Sequence, residues 1–156
     1  MNHVRIQQVL DELVGQRCEG VDNPHGSVLR LDIGPLGTRV DAPDDPPHGW
    51  RHLTILSPWR LESRTEVVCD WNEPGGPTGS LLAKVQSLAG VAVTSATASP
   101  PGWDLVIEWS NGTRLLVFSD RNDNREDAWV ILGTDGLELG AGPATAGHTG
   151  IDLKEG

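Results

Sequence analysis

The stretch SDRNDNREDAW, residues 119–129, holds six charged residues and two asparagines in eight successive positions. Calcium loops place oxygen ligands at alternating positions, and Asp120, Asn122 and Asn124 have that alternation. Arg125 stands where an EF-hand needs glycine, which excludes that motif. A charged loop between two strands explains the stretch better, since short polar side chains bond to local backbone amides in turns.

His48 and His52 are the one histidine pair with a spacing of four residues, and they flank the sequence GWR between a loop and a strand. Zinc needs three or four convergent ligands. Asp44 or Asp45 would have to supply a third ligand. Exposed loop histidines are the simpler interpretation, so the sequence predicts no metal site and no cofactor.

Motifs for covalent catalysis are absent from the sequence. It contains no G-x-S-x-G and no S-x-x-K, and the glycine-rich GGPTGS at 75–80 lacks the lysine of a phosphate-binding loop. Asp104 and Glu108 alternate along a predicted strand and could form a glycosidase-like pair. Such alternation is more typical of the solvated face of an antiparallel sheet. We therefore predict no catalytic residue and favour a role other than catalysis, with an enzyme left as the alternative.

The formal net charge is −10, from 12 basic and 22 acidic residues. A charge of this sign argues against nucleic-acid backbones and anionic membranes as partners, and it permits a basic protein. No apolar run reaches the roughly 20 residues that span a bilayer, and the first residues lack the apolar core of a secretion signal. We expect a cytoplasmic protein whose cysteines, Cys18 and Cys69, are reduced and lie in the core.

Two short helices are predicted from apolar residues at helical spacing. Residues 4–14 place Ile6, Val9, Leu10, Leu13 and Val14 on one face, and residues 80–89 do the same with Leu81, Leu82, Val85, Leu88 and Ala89. A glycine follows each helix, in LVG at 13–15 and in LAG at 88–90. The similar ends suggest that the two segments are counterparts.

Strand patterns follow each helix in a similar order. Four strands are predicted after the first helix and four after the second, and Asn-Gly at 111–112 marks one tight hairpin. The sequence thus predicts an α+β fold with antiparallel sheets of about seven to eight strands and two short helices. A helix-plus-four-strand unit would be duplicated over residues 1–71 and 80–140. We expect one globular domain over 1–140 and a flexible tail over 141–156.

The aromatic residues are six tryptophans, one phenylalanine and no tyrosine. We therefore expect tryptophan to supply most of the aromatic core, through Trp59, Trp71, Trp109 and Trp129. Trp50 and Trp103 lie beside glycines at strand edges, and each would be a binding anchor if exposed.

Two acidic loops and these two tryptophans are the candidate partner-binding surface. The residues are Asp41, Asp44, Asp45, Trp50, Trp103, Asp120, Asp123, Glu126 and Asp127. Loops concentrate binding residues, and exposed aromatic side chains often anchor interfaces.

Several motifs resemble those of a family of small uncharacterised bacterial proteins of actinobacterial type. They are PWRL at 58–61, the segment Leu88–Val93, DLVIEW at 104–109, NGTRLLVF at 111–118 and Trp129. The resemblance implies an α+β fold and no particular reaction. Small acidic proteins of this kind are also loosely similar to immunity proteins, which block toxins by covering them. We therefore expect a non-enzymatic binding protein. The most specific version of this expectation is an inhibitor of the immunity type. The alternatives are a small hydrolase or metal-dependent enzyme using Asp120, Asp123, Asp127 or His52, and a homodimeric scaffold.

Overall fold

Two five-stranded antiparallel sheets and two short helices make up the computed structural model, which describes residues 2–24, 26–76, 79–119 and 127–142. The elements are α1 (Asn2–Asp11), β1 (Cys18–Asp22), β2 (Leu29–Gly37), β3 (His48–Ile55), β4 (Trp59–Glu62), β5 (Val67–Asp70), α2 (Ser80–Val85), a 3₁₀ turn (Gln86–Leu88), β6 (Val93–Ser99), β7 (Asp104–Trp109), β8 (Arg114–Val117), β9 (Trp129–Gly133) and β10 (Glu138–Ala141). Within the described residues, no helix is long and apolar enough to cross a membrane.

Both predicted helices are present, and both are shorter than predicted. Helix α1 buries Ile6, Val9 and Leu10 on one face and ends at Asp11. Val14, predicted on the buried face, lies beyond the helix and is 46% exposed. Helix α2 passes into the 3₁₀ turn, whose last residue, Leu88, is buried.

The strand order is the same in the two halves of the chain. The first sheet runs β1-β2-β3-β9-β10 and the second runs β6-β7-β8-β4-β5 when read from its β6 edge. Each half thus places its first three strands in one sheet and its last two strands in the other. This exchange joins the halves into one body. The duplication predicted from the sequence stays a prediction.

The segments that follow the two helices meet each other through paired hydrogen bonds. The Gly15 amide donates to the Val93 carbonyl at 2.8 Å, and the Gly90 amide donates to the Cys18 carbonyl at 2.7 Å. Gly15 and Gly90 are the predicted helix stops, with φ angles of 87° and 82°. The pairing brings the start of β1 beside the start of β6.

The sheets contain ten strands, so the predicted count of about seven to eight was too low. The additional strands are β4 and β10, which have four residues each. Buried and partly buried residues alternate in both. Strand β10 consists largely of Glu, Gly and Ala, which are depleted in strands, and β4 directly follows a Ser-Pro pair, which is typical of a turn. Strand β10 ends at Ala141, where the predicted tail begins, and residues 143–156 lie outside the described part of the chain.

A single hydrophobic core draws on both sheets and both helices. Trp59, Trp109 and Trp129 are buried in it, as predicted. The prediction for Trp71 was wrong, because this residue follows the end of β5 in a turn and its side chain is 40% exposed.

The two cysteines are free thiols and are buried, as predicted. Burial raises the pKa of the Cys18 thiol and that of the Cys69 thiol to about 12. The thiolate is the reactive form, so neither side chain has the character of a reactive cysteine.

Candidate functional site

An open groove crosses the solvated face of the first sheet. Its volume is about 670 Å³, and residues from β1, β2, β3, β9, β10 and the loop 38–47 line it. We call it the first-sheet groove. Strand β3 alternates strictly between buried and partly buried residues, and its partly buried set includes His48 and His52. The period of two therefore places both imidazoles on the groove side.

Asp32 lies opposite His52 in the register of β2 against β3. The His52 Nδ1 and the Asp32 Oδ1 are 2.7 Å apart, and the Gly49 amide donates a second hydrogen bond of 2.8 Å to the same oxygen. Burial raises the pKa of Asp32, but the hydrogen bonds from His52 and from the Gly49 amide outweigh burial and hold this pKa below its ordinary value. Asp32 is therefore a carboxylate at neutral pH.

His48 joins the same cluster from the edge of the loop. Its Nδ1 is 2.6 Å from the Gly49 carbonyl oxygen, and its ring centroid lies 5.3 Å from that of His52. Four residues of a regular strand span about 13 Å, so the two rings lean towards each other. Together, Asp32, His48 and His52 each place one potential ligand atom within 4.8 Å of the others.

Gly49 makes this convergence sterically feasible. A Cβ at this position would lie 2.6 Å from the Ile33 nitrogen and 2.9 Å from the Asp32 Cα. No real side chain tolerates such distances to backbone atoms. The amide and the carbonyl of Gly49 both serve the cluster, one bonded to Asp32 and the other to His48. The register of β2 against β3 also shifts between Ile33 and Leu36, next to this contact.

The corresponding place on the second sheet holds ordinary ion pairs. On the central strand of the first sheet, β3, His52 lies opposite Asp32 and Leu132. On the central strand of the second sheet, β8, Arg114 lies opposite Glu108 and Glu62. The Arg114 Nη2 contacts the Glu62 Oε1 at 2.6 Å. A depression of about 780 Å³ lies there too, without a histidine in its lining. The histidines are therefore particular to the first sheet.

Charge in the first-sheet groove is predominantly negative. Five carboxylates and two guanidinium groups line it, an excess of three negative charges. Arg39 is buried, and its Nη2 contacts the Asp41 carboxylate at 2.7 Å and the Glu138 carboxylate at 3.3 Å. Its positive charge is therefore compensated by carboxylates of the groove itself. The groove is therefore suited to cationic ligands.

The predicted partner-binding residues fall into three groups. Asp41 and Asp45 line the first-sheet groove, and Asp44 is exposed in the same loop. Trp50 is half-buried with the Arg51 guanidinium 3.9 Å from its ring centroid. Trp103 was predicted to be a binding anchor if exposed, but it is buried.

The remaining predicted residues come from the second acidic loop. Asp127 is half-buried just before β9. Asp120, Asp123 and Glu126 lie outside the described residues, as does the alternating Asp/Asn pattern considered for calcium.

Sequence reasoning found the two histidines and missed their carboxylate. It placed Asp44 or Asp45 beside them, whereas Asp32 is the acidic residue of the cluster. The available signal was the hairpin: Asp32 occupies a solvent-side position of the strand preceding His52, and cross-strand partners on one face lie in contact. The register was not predictable because the sequence patterns leave a loop of 16 residues, 35–50, between the two predicted strands, about three times the length of a typical connection.

A scan against protein-family models, a search of the curated proteins and a search of the solved structures each return no match for this chain.

Proposed function

We propose that this chain is a non-enzymatic binding protein that recognises a basic protein partner through the first-sheet groove and the acidic loop 41–45. The observation that carries the proposal is the excess of three negative charges among the groove residues. In its sharpest form, the partner is a toxin whose cationic active site the groove covers, as an immunity protein would do.

The composition of the groove's rim supports this role. Asp44 and Asp45 are exposed, and Leu36 and Val40, from the same stretch of the chain, are 62% and 67% exposed. Exposed apolar side chains together with carboxylates combine desolvation with charge complementarity, which are the two ingredients of a specific interface. The net charge of −10 would also steer a basic partner towards the chain.

Charge reversal of the loop tests the proposal. In the variant Asp44→Lys/Asp45→Lys, we expect the association rate with a partner recovered from the native host to fall about tenfold at low salt, because long-range attraction sets that rate. Stopped-flow or interferometry measurements at several salt concentrations would report it. The rate should also become less sensitive to salt.

The matched control is Glu66→Lys/Glu108→Lys, which makes the same change in net charge on exposed residues that line the depression on the second sheet. We expect its association rate to stay within about twofold of the wild-type rate. An equal loss in both variants would show a net-charge effect, and no loss in the loop variant would place the interface elsewhere.

A small hydrolase is the second candidate function, because Asp32 orients His52 in the groove at 2.7 Å. A carboxylate that fixes an imidazole is the arrangement of a general base. This candidate predicts turnover of chromogenic esters or phosphoesters, with a loss of about 100-fold or more in His52→Ala. Turnover unaffected by His52→Ala, or none over a broad substrate panel, would contradict it.

A further inference from the structure

We propose that Asp32, His48 and His52 form a binding site for a transition-metal ion of the zinc type. The three side chains come from two adjacent strands, and each places one ligand atom within 4.8 Å of the others. This inference does not depend on either function proposed above. A binding protein and a hydrolase could both contain such a site.

The hydrogen bonds of His48 fix which of its nitrogens is available. The Gly49 carbonyl can only accept, so in the neutral imidazole the His48 Nδ1 at 2.6 Å carries the proton and the Nε2 has the lone pair. That Nε2 is buried and has no hydrogen-bond partner within the described part of the chain. A buried acceptor without a partner is unfavourable, and a metal ion would satisfy it. A backbone carbonyl on the opposite nitrogen is also how coordinating histidines are usually oriented.

His52 and Asp32 offer the other two ligand atoms. In the metal-free protein a proton holds the His52 Nδ1 against the Asp32 Oδ1 at 2.7 Å. For a metal ion to bind at Nδ1, the neutral imidazole changes tautomer: Nδ1 releases its proton to solvent and Nε2 takes one up from solvent, so the ring stays neutral. The carboxylate and the unprotonated nitrogen then face the ion together. The Gly49 amide continues to hold Asp32 in position.

The spacing is close to that of a formed site. Ligand atoms around a tetrahedral zinc ion lie roughly 3.3 Å apart, given Zn–N and Zn–O distances of about 2.0–2.2 Å. The upper limit of 4.8 Å in the cluster therefore requires side chains to close by no more than about 1.5 Å. His52 and Asp32 are only 18% and 27% exposed, so their rotamers are already restricted.

The donor set selects the class of metal. Two imidazole nitrogens and one carboxylate suit zinc and its neighbours cobalt and nickel, whereas calcium and magnesium prefer oxygen ligands. Three protein ligands leave a fourth position for water or for a group from a partner. The negative groove favours any cation, but only the imidazoles discriminate among cations.

Isothermal titration of the chelator-treated chain, residues 1–156, with zinc chloride would test the site. We expect saturation at one zinc ion per chain with micromolar or tighter affinity. The variants His48→Gln, His52→Gln and Asp32→Asn should each bind at least about tenfold more weakly. In nitrogen-15 NMR of the imidazoles, zinc should shift the resonance of the Nε2 of one histidine and of the Nδ1 of another. This measurement uses the wild-type protein, so it does not depend on whether the variants fold.

Two matched controls separate this site from surface binding. Replacing His3, His25 and His148 together by glutamine keeps Asp32, His48 and His52 in the sequence, and binding should stay within about twofold of wild type. Asp45→Asn removes a carboxylate of the same groove that is outside the cluster, and it should also bind normally. No saturable binding in the micromolar range, or binding lost in the triple variant and kept in His48→Gln/His52→Gln, would overturn the proposal.

Discussion

Replacing Trp129 by alanine is expected to lower the free energy of unfolding by about 3–5 kcal/mol. The side chain is fully buried, and its indole nitrogen donates a hydrogen bond of 2.8 Å to the Trp103 carbonyl between β6 and β7. The variant leaves a large cavity and an unpaired carbonyl, and both effects destabilise the native state. Small domains have total free energies of unfolding of about 5–15 kcal/mol, so we expect this substitution to remove a large part of the protein's stability. Urea unfolding followed by circular dichroism would measure it.

Trp59 provides an internal comparison, because it begins β4 as Trp129 begins β9. It is also fully buried, and its indole nitrogen donates to the Ser27 carbonyl at 2.8 Å, between β1 and β2. We expect Trp59→Ala to have an effect of similar size. Trp71→Ala, at a 40% exposed position, should change stability by less than about 1 kcal/mol. Losses below about 1 kcal/mol in Trp59→Ala and Trp129→Ala would contradict the assignment of these two tryptophans to the core. A loss in Trp71→Ala as large as theirs would contradict its exposed position.

The fold class and both helices were predictable because their signals are local. Helical spacing of apolar residues is a property of a single segment, as in Ile6, Val9 and Leu10, and the buried tryptophans followed from the lack of other large aromatic residues. The errors have local causes as well. Trp71 was assigned to the core because the residues before it resemble a strand, but β5 ends one residue earlier, at Asp70. One residue decides which way a side chain points.

The candidate site was only partly predictable because it depends on pairing between strands. His48 and His52 were identifiable from their types and spacing. Asp32 is 20 residues from His52 in sequence and reaches it through a strand register that includes an irregularity. Nothing local in the sequence specifies that register, since hydrophobic alternation fixes the buried face and leaves the pairing of polar residues open. The carboxylate of the cluster therefore had to come from the structure.

The positions of the histidines change the interpretation of the negatively charged surface. From the sequence, recognition was expected to depend on exposed acidic loops, with the histidines as unrelated loop residues. In the structure, Asp41 and Asp45 line the same groove as His48 and His52. The carboxylates can therefore attract a cation that the imidazoles then select. The two proposals therefore depend on the same negative potential, which would attract a basic protein in one case and a metal ion in the other.

Gly49→Ala should disrupt the cluster without removing any of its ligands, because Gly49 is hydrogen-bonded to two of them, Asp32 and His48. The added Cβ would lie 2.6 Å from the Ile33 nitrogen, so the backbones of β2 and β3 must separate there. We expect a loss of about 1–3 kcal/mol in the free energy of unfolding from overpacking. We also expect both Gly49 hydrogen bonds, to Asp32 and from His48, to lengthen. Thermal unfolding and the imidazole NMR spectrum would measure the two effects.

Gly37→Ala is the matched control, since Gly37 pairs with His48 across the same two strands. Among the residues that the structure describes, a Cβ there would meet only the Thr134 Cγ2, at 3.6 Å, which is an ordinary van der Waals distance. We expect Gly37→Ala to stay within about 0.5 kcal/mol of wild type, with unchanged imidazole signals. Native stability and unchanged imidazole signals in Gly49→Ala would mean that the strands are not in close contact at this point. The convergence of Asp32, His48 and His52 would then lack the backbone contact on which it depends.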